Sequence, residues 1–253
     1  MIPPTSIDGT DITGATIDGT DVQEITVDGD VVFTEQVSLP DNPIYAWDPA
    51  TFSTSDSTWF DQVVNEPMSM GSGLTKTTFS DGTPAILGDG VDDEATAANR
   101  DVARNTMSLE FEFEHTTSGL ARIIGNETQG TNLMNVFINR TGNFDSDVGR
   151  ITFFISTSGG GNDSIGFSHN DGYNDGLKHK VSFVGNDFEN QDVDMYVDGN
   201  QVTPSIDRFR NPNFSVNTRN SDSNYWNDHT DRFYPGKLGK IRFYDTAINQ
   251  QNI

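Results

Sequence analysis

The chain has 253 residues, 38 acidic against 15 basic side chains, a net charge of −23 and no cysteine. The charge excludes nucleic acid and anionic membrane surfaces as favoured partners, and the missing thiols exclude disulfides and a cysteine nucleophile. The length suits one large all-β domain with an appendage and is enough to bury a sizeable core.

The first element in chain order is a repeat. Ser6-Ile7-Asp8-Gly9-Thr10-Asp11-Ile12, Thr16-Ile17-Asp18-Gly19-Thr20-Asp21-Val22 and Thr26-Val27-Asp28-Gly29-Asp30-Val31-Val32 recur with a period of ten. Each unit sets β-branched residues around an Asp-Gly turn, which predicts a short hairpin or one rung of a β-coil. Isolated two-stranded ribbons are marginal in water, so these units need a neighbour, either the following domain or symmetry-related copies of themselves. Residues 1–36 resemble N-terminal attachment segments of fibre, turret and decoration proteins of tailed viruses, including those of haloarchaea. The resemblance implies an assembly or anchoring module.

Glu35–Pro43 carries two prolines and no periodicity, and marks a boundary with a short stiff linker at 37–43. Ile44-Tyr45-Ala46-Trp47 then reads as the first strand of a second domain, residues 44–253. Trp47 and Trp59 sit in apolar-periodic contexts and are expected to pack in the core. From Ser108-Leu109-Glu110-Phe111-Glu112-Phe113-Glu114-His115 onward, alternating strands follow at 120–125, 133–139, 150–156 and 164–169. Turn clusters separate them at the spacing of a jelly roll. The best helix candidate, 95–103, is short and polar on both sides.

Leu177–Val202 is the clearest stretch. Val181 and Phe183, then Val193, Met195 and Val197, alternate on either side of a polar turn, and Asp198-Gly199 supplies a second, tight turn. Leu177-Lys178-His179-Lys180-Val181-Ser182-Phe183 with Asp194-Met195-Tyr196-Val197-Asp198-Gly199 resembles the central hairpin of laminin-G-type, concanavalin A-like domains. Gly236-Lys237-Leu238-Gly239-Lys240-Ile241-Arg242-Phe243-Tyr244 resembles that family's closing strand, and Leu87-Gly88-Asp89-Gly90-Val91-Asp92-Asp93 its early strand and turn. The expected fold is therefore all-β, a concanavalin A-like jelly-roll sandwich preceded by a small β-hairpin repeat.

Three constellations could carry chemistry. Glu110, Glu112 and Glu114 share one face of a strand, and concanavalin A-like glycosidases place their nucleophile and acid on such a strand. Neighbouring positions on one face are about 7 Å apart, so only an adjacent pair could flank a glycosidic bond. The intervening Asp and aromatic subsites of those enzymes are missing, and an exposed face of an acidic protein is the simpler expectation. Second, Asn224, Tyr225, Trp226, Asn227, Asp228 and His229 fall in a polar stretch read as a loop. They offer an aromatic face and planar amides for a sugar, with loop-anchoring packing as the alternative. Third, Asp89, Asp92 and Asp93 offer hard oxygens for Ca²⁺ or, equally, plain turns.

His115, His169, His179 and His229 are scattered without metal-site spacing. Sequons begin at Asn126, Asn139, Asn162 and Asn213. Asp outnumbers Glu and Arg outnumbers Lys, a bias that keeps a surface hydrated in concentrated salt. A halophilic source is expected, with a calcium-rich or simply acidic extracellular protein as the alternative. The N-terminus has neither a basic nor an apolar signal region, and no run approaches a membrane span.

The sequence thus points to a non-enzymatic, homo-oligomeric (trimeric or pentameric) surface protein of a haloarchaeal tailed virus. It would be assembled in the host cytoplasm and displayed on the virion, where it joins other virion proteins through residues 1–36. Its sandwich would meet a host surface glycan or glycoprotein. A secreted glycan-binding or glycan-cleaving protein and a purely structural capsid cement protein are the alternatives.

Overall fold

The computed structural model describes residues 43–52, 58–71, 73–91, 93, 95, 105–125, 134–139, 148–155, 165–206 and 234–248, together with the strand backbone at 6–7, 10–11, 16–17, 20–21, 24–27, 30–34, 96–100, 133, 156, 164, 207–209 and 221–226. The chain divides into two units between residues 42 and 43.

In the first unit the repeat forms three separate antiparallel pairs. β1 (Ser6–Ile7) pairs with β2 (Thr10–Asp11), β3 (Thr16–Ile17) with β4 (Thr20–Asp21), and β5 (Glu24–Val27) with β6 (Asp30–Thr34). Ile7 is opposite Thr10, Ile17 opposite Thr20 and Val27 opposite Asp30. The Asp-Gly pairs of the sequence are therefore the two residues that join each hairpin, the spacing at which that dipeptide is favoured.

The second unit contains β7 (Tyr45–Trp47), β8 (Thr58–Phe60), β9 (Pro67–Met70), β10 (Thr75–Thr78), β11 (Pro84–Leu87), β12 (Ala95–Arg100), β13 (Met107–His115), β14 (Ala121–Gly125), β15 (Leu133–Ile138), β16 (Arg150–Ser156), β17 (Ser164–Asn170), β18 (Lys178–Asp187), β19 (Asp192–Val197), β20 (Asn200–Val202), β21 (Ser205–Phe209), β22 (Ser221–Trp226) and β23 (Gly236–Tyr244). Among the described residues they form two antiparallel sheets. The first has the order β10-β11-β23-β13-β18-β19-β20 with β7 also on β23, and the second has the order β21-β17-β16-β15-β14-β22-β12-β9-β8. The second unit is the β-sandwich expected from the sequence. Of the 95–103 stretch, Ala95–Arg100 is a strand, not a helix, and 101–103 lie outside the described residues: β12 is held on both sides, by β9 and β22, and its Ala95 is buried.

Two of the stretches that carry the family resemblance, the β18–β19 hairpin and β23, flank the central strand β13 of the first sheet. Leu109, Phe111 and Phe113 of β13, Val181 and Phe183 of β18, and Leu238, Ile241 and Phe243 of β23 all point into one core. An aromatic series crosses that core from sheet to sheet. Phe111 stacks on Phe183 (centroids 6.5 Å apart), Phe183 on Phe153 (4.8 Å), and Phe188 touches both Phe153 (5.6 Å) and Phe167 (5.9 Å). Phe188 belongs to the polar turn between β18 and β19, yet it is fully buried. Its ring lies over Gly185, where a Cβ would come within 2.1 Å of it. Glycine at 185 therefore leaves the space that the turn's own phenylalanine fills. The Asp198-Gly199 turn has positive φ at both residues (51° and 77°), as a two-residue primed hairpin requires.

Trp47 and Trp59 are both core residues, and the Asp that follows Trp59 by two explains their placement. Asp61 is fully buried, and its Oδ1 accepts from the backbone N–H of Val63 (2.7 Å), Val64 (3.2 Å) and Ala46 (3.4 Å). One carboxylate thus closes the β8–β9 turn and ties it to β7. Replacing Asp61 with Ala leaves those donors without an acceptor and is expected to cost about 3 kcal/mol. A urea midpoint for D61A within error of the parent would refute this role.

Candidate functional site

The glutamates of β13 face away from the core, but they are not exposed. Glu110 is 3% and Glu114 7% accessible, and neighbouring strands supply the reason. Arg242 of β23 donates to Glu110 Oε1 at 2.8 Å, and Lys180 of β18 lies 3.1 Å from Oε2. Lys178 lies 3.1 Å from Glu112 Oε1, and the Lys240 N–H donates to Oε2 at 3.1 Å. Lys237 lies 2.5 Å from Glu114 Oε1, and the Ser80 N–H donates to Oε2 at 2.6 Å. Each of the six carboxylate oxygens therefore has a cation or an N–H within 3.1 Å. This corrects the expectation of an exposed acidic face.

Local structure makes the match possible. β23 carries a bulge, with Ile241 opposite Phe111 and Leu238 opposite Phe113, so Gly239 and Lys240 together face Glu112. A side chain at Gly239 would strike Glu112 Oε2 (2.5 Å) and the Phe79 ring (2.7 Å). The β10–β11 turn contributes the Ser80 N–H. It also supplies Asp81, 3.3 Å from the Lys178 ammonium, which lies over the Phe79 ring.

Burial pushes the Glu114 carboxyl upward, but the Lys237 ammonium and the Ser80 hydrogen bonds outweigh it and hold the group below the ordinary range. Burial also works against the Lys178 ammonium, and Glu112 and Asp81 outweigh it to raise its pKa. A general acid needs the opposite shift to that of Glu114. The geometry suits a structural ladder of ion pairs rather than glycoside hydrolysis.

Of the predicted sugar-binding stretch, Asn224, Tyr225 and Trp226 end β22, and Asn227, Asp228 and His229 lie outside the described residues. The stretch read as a loop is therefore a strand over 221–226. It pairs with β12 along most of its length and with β14 where Tyr225 lies opposite Gly125. A run of Ser, Asp, Ser and Asn has no apolar alternation to betray it. Of the calcium candidates, Asp92 lies outside the described residues. Asp89 Oδ1 accepts the Val91 N–H (2.7 Å), and buried Asp93 Oδ2 accepts the Asp89 N–H (2.6 Å), so both brace their own turn. No group of three or more His, Asp or Glu among the described residues is placed to hold a metal ion.

Two of the scattered histidines come together. His169 Nδ1 lies 2.7 Å from the Tyr173 hydroxyl, and the Tyr173 ring meets His179 edge-on at 5.1 Å. Burial, with Asp171 and Asp198, pushes the Tyr173 phenol up to about 12, so it keeps its proton. His179 reaches Asp198 through Nδ1 (2.8 Å) and Asp175 through Nε2 (3.2 Å). His115 stacks on Tyr234, and its Nε2 faces Thr117 Oγ1 and Asn139 Nδ2, each at 3.1 Å.

Asn139, a sequon residue, is 2% accessible with φ of 56°. Its amide donates to the carbonyls of Thr117 (2.8 Å) and Gly119 (2.9 Å), and its oxygen accepts from the Gly149 N–H. It is a structural bracket, so the folded chain cannot carry a glycan there. The other sequon asparagines lie outside the described residues.

Sequence reasoning passed over the outward positions of β15 and β16. Asn135, Phe137, Thr152 and Phe154 all point away from the core, and all are 6% accessible or less. Strand alternation marked their side of the sheet but not its enclosure.

No protein-family model matches the chain, and no curated protein matches it in sequence. Solved structures match its fold. Domain 4 of a GH43 extracellular arabinanase from Geobacillus stearothermophilus, in complex with arabinotriose, superposes with a TM-score of 0.59 at 14% identity. That match covers 84% of this chain and 96% of that domain. The binding domain of botulinum neurotoxin DC in complex with SialylT gives 0.59 at 10% identity, covering 85% of this chain and 50% of that one. The botulinum neurotoxin serotype D ligand-binding domain in complex with N-acetylneuraminic acid gives 0.58 at 10% identity, with the same coverage. The chain spans about half the length of these toxin domains. The likeness is one of β-sandwich fold.

His115 has its pKa lowered to about 4, chiefly by burial, against 6.5 when unfolded. Below pH 6.5 the unfolded chain takes up a proton that the folded one refuses, so stability present above 6.5 is lost progressively down to about pH 4. The loss is up to about 3 kcal/mol. Chemical unfolding from pH 7.5 to 4 should show this slope, and H115Q should flatten it. An H115Q profile parallel to the parent would count against a neutral, buried His115.

Proposed function

We propose that the sandwich is a non-enzymatic carbohydrate-binding module. The observation that carries this reading is the similarity to a domain solved with arabinotriose bound, because it extends over 96% of that domain and leaves little of it unmatched. The toxin domains solved with SialylT and with N-acetylneuraminic acid support the same class. The paired state of Glu110, Glu112 and Glu114 favours binding over cleavage, since no carboxylate of that strand is left to shuttle a proton. The β22 end, with Asn224, Tyr225 and Trp226, supplies residue types suited to a sugar: an aromatic face and a planar amide.

For the setting, we propose that residues 1–36 attach copies of the module to a larger particle. The surface of a virus of salt-loving archaea is the expected location. The row of repeated hairpins and the net charge of −23 support this reading. Several copies on one particle would turn a weak sugar contact into a useful one through avidity.

The full chain, applied to a glycan array in molar salt, should bind a restricted set of sugars and release no shortened oligosaccharide. W226A should weaken that binding by at least about tenfold. Absence of any bound glycan would sink the reading, and product release would revive a hydrolase. Deleting residues 1–36 should reduce the mass seen by light scattering to that of a monomer; an unchanged mass would remove the assembly role.

A further inference from the structure

Aromatic rings in the sandwich go inward. Among the described residues the phenylalanines and tryptophans are buried and the tyrosines buried or half-buried, except Phe60, which is 42% accessible. Alternation on β8 explains its direction: Trp59 takes the core side, so Phe60 takes the outer one. It lies opposite exposed Pro67 of β9, with Thr58 opposite exposed Ser69 on the same face. The row through Thr58 and Ser69 continues to Thr96 of β12 and to the strand position of Tyr225 on β22, about 14 Å from β8 across the sheet.

The turn after Phe60 enlarges the exposed surface and is held firmly. Val63 and Val64 are 47% and 44% accessible, and Gln62 and Asn65 beside them are exposed as well. Buried Asp61 fixes their backbone. Besides its side-chain bonds to the Val63 and Val64 N–H groups, its own N–H donates to the Glu66 carbonyl and its carbonyl accepts the Asn65 N–H, each at 2.9 Å. The ring and the two valines thus stand on a braced turn, and exposed apolar surface with polar groups at its margin marks a contact site. Residues 58–70 include no lysine or arginine.

Resting on the carbohydrate-binding reading, we propose that Phe60 is the stacking platform of an open sugar-binding surface on the β8–β9 hairpin, and that this surface takes an uncharged oligosaccharide. The exposed ring meets the C–H face of a sugar, and the amides of Gln62 and Asn65 with the Ser69 hydroxyl supply the group types that pair with its hydroxyls. An acidic sugar finds no cation on this hairpin and meets a molecule of net charge −23, so the ligand is neutral. The surface is a braced turn on the last strand of its sheet rather than a closed pocket. Internal residues of a glycan can therefore stack on the ring, with the chain running along the row toward β22.

Phe60→Ala in the full chain, measured with the best sugar from the array, should melt with the parent because the ring is exposed. Its affinity should fall by about tenfold, and F60W should restore it. Neutral oligosaccharides should bind at low and at molar salt, whereas sialylated or uronate-bearing ones should bind at neither. Unchanged affinity in F60A overturns the platform and leaves the carbohydrate reading intact. If F60A melts well below the parent, F60L decides, since it keeps bulk and loses the flat face: full affinity in F60L also overturns the platform. Binding confined to acidic sugars overturns the neutral class. If the parent chain binds no sugar, both readings fail together.

Discussion

The sandwich depends on three carboxylates being matched on the outer face of its central strand. Glu110, Glu112 and Glu114 are enclosed by β23, β18 and the β10–β11 turn, and an unmatched carboxylate in such a place would be strongly destabilising. The match is demanding in this chain, which has only 15 cations against 38 acids. Four of its five lysines, Lys178, Lys180, Lys237 and Lys240, lie on the two strands that flank β13. With Arg242 they make five of the fifteen cations, set on the strands whose order their pairing supports. The pairing also fixes register: a one-residue slip of either flanking strand would turn lysines inward and leucine or phenylalanine out.

The two sheets therefore solve the same problem differently. In the first, the outward face is closed by charge, with each oxygen assigned a partner. In the second, the outward positions of β15 and β16 are closed with rings and polar groups side by side, and two of the polar groups lack partners.

Much of the architecture could be read from the chain because strand alternation is local. The β18–β19–β20 meander, the hairpin repeat and the inward Trp47 and Trp59 all follow from patterns within a few residues. Long-range features were not legible. The burial of Glu110 depends on Arg242, 132 residues away, although the outward Glu-x-Glu-x-Glu and the outward Lys-x-Lys of β18 are complementary once their strands are adjacent. Phe188 looked like part of a polar turn because nothing nearby shows that Gly185 leaves a space for it. Asn139 has the sequence of a glycan acceptor and the geometry of a bracket, since its partners lie on three other segments. The aromatic and amide residues of β22 stood out by composition, but the enclosure of Asn135 and Thr152 did not. An alternating strand tells which side a residue takes, not whether that side is wet.

The position of β23 has a consequence for synthesis. Residues 236–244 do not add to an edge; they lie between β11 and β13, in the middle of the first sheet. Until they leave the ribosome, β13 has only β18 beside it, its glutamates lack Lys237, Arg242 and the Lys240 N–H, and one long strand edge stands open. The sandwich thus closes only when β23 is added, and until then the nascent chain carries an incomplete, acid-rich edge on β13. Like charges along that edge resist pairing with another chain, so the carboxylates that later require cations serve beforehand to keep unfinished molecules apart.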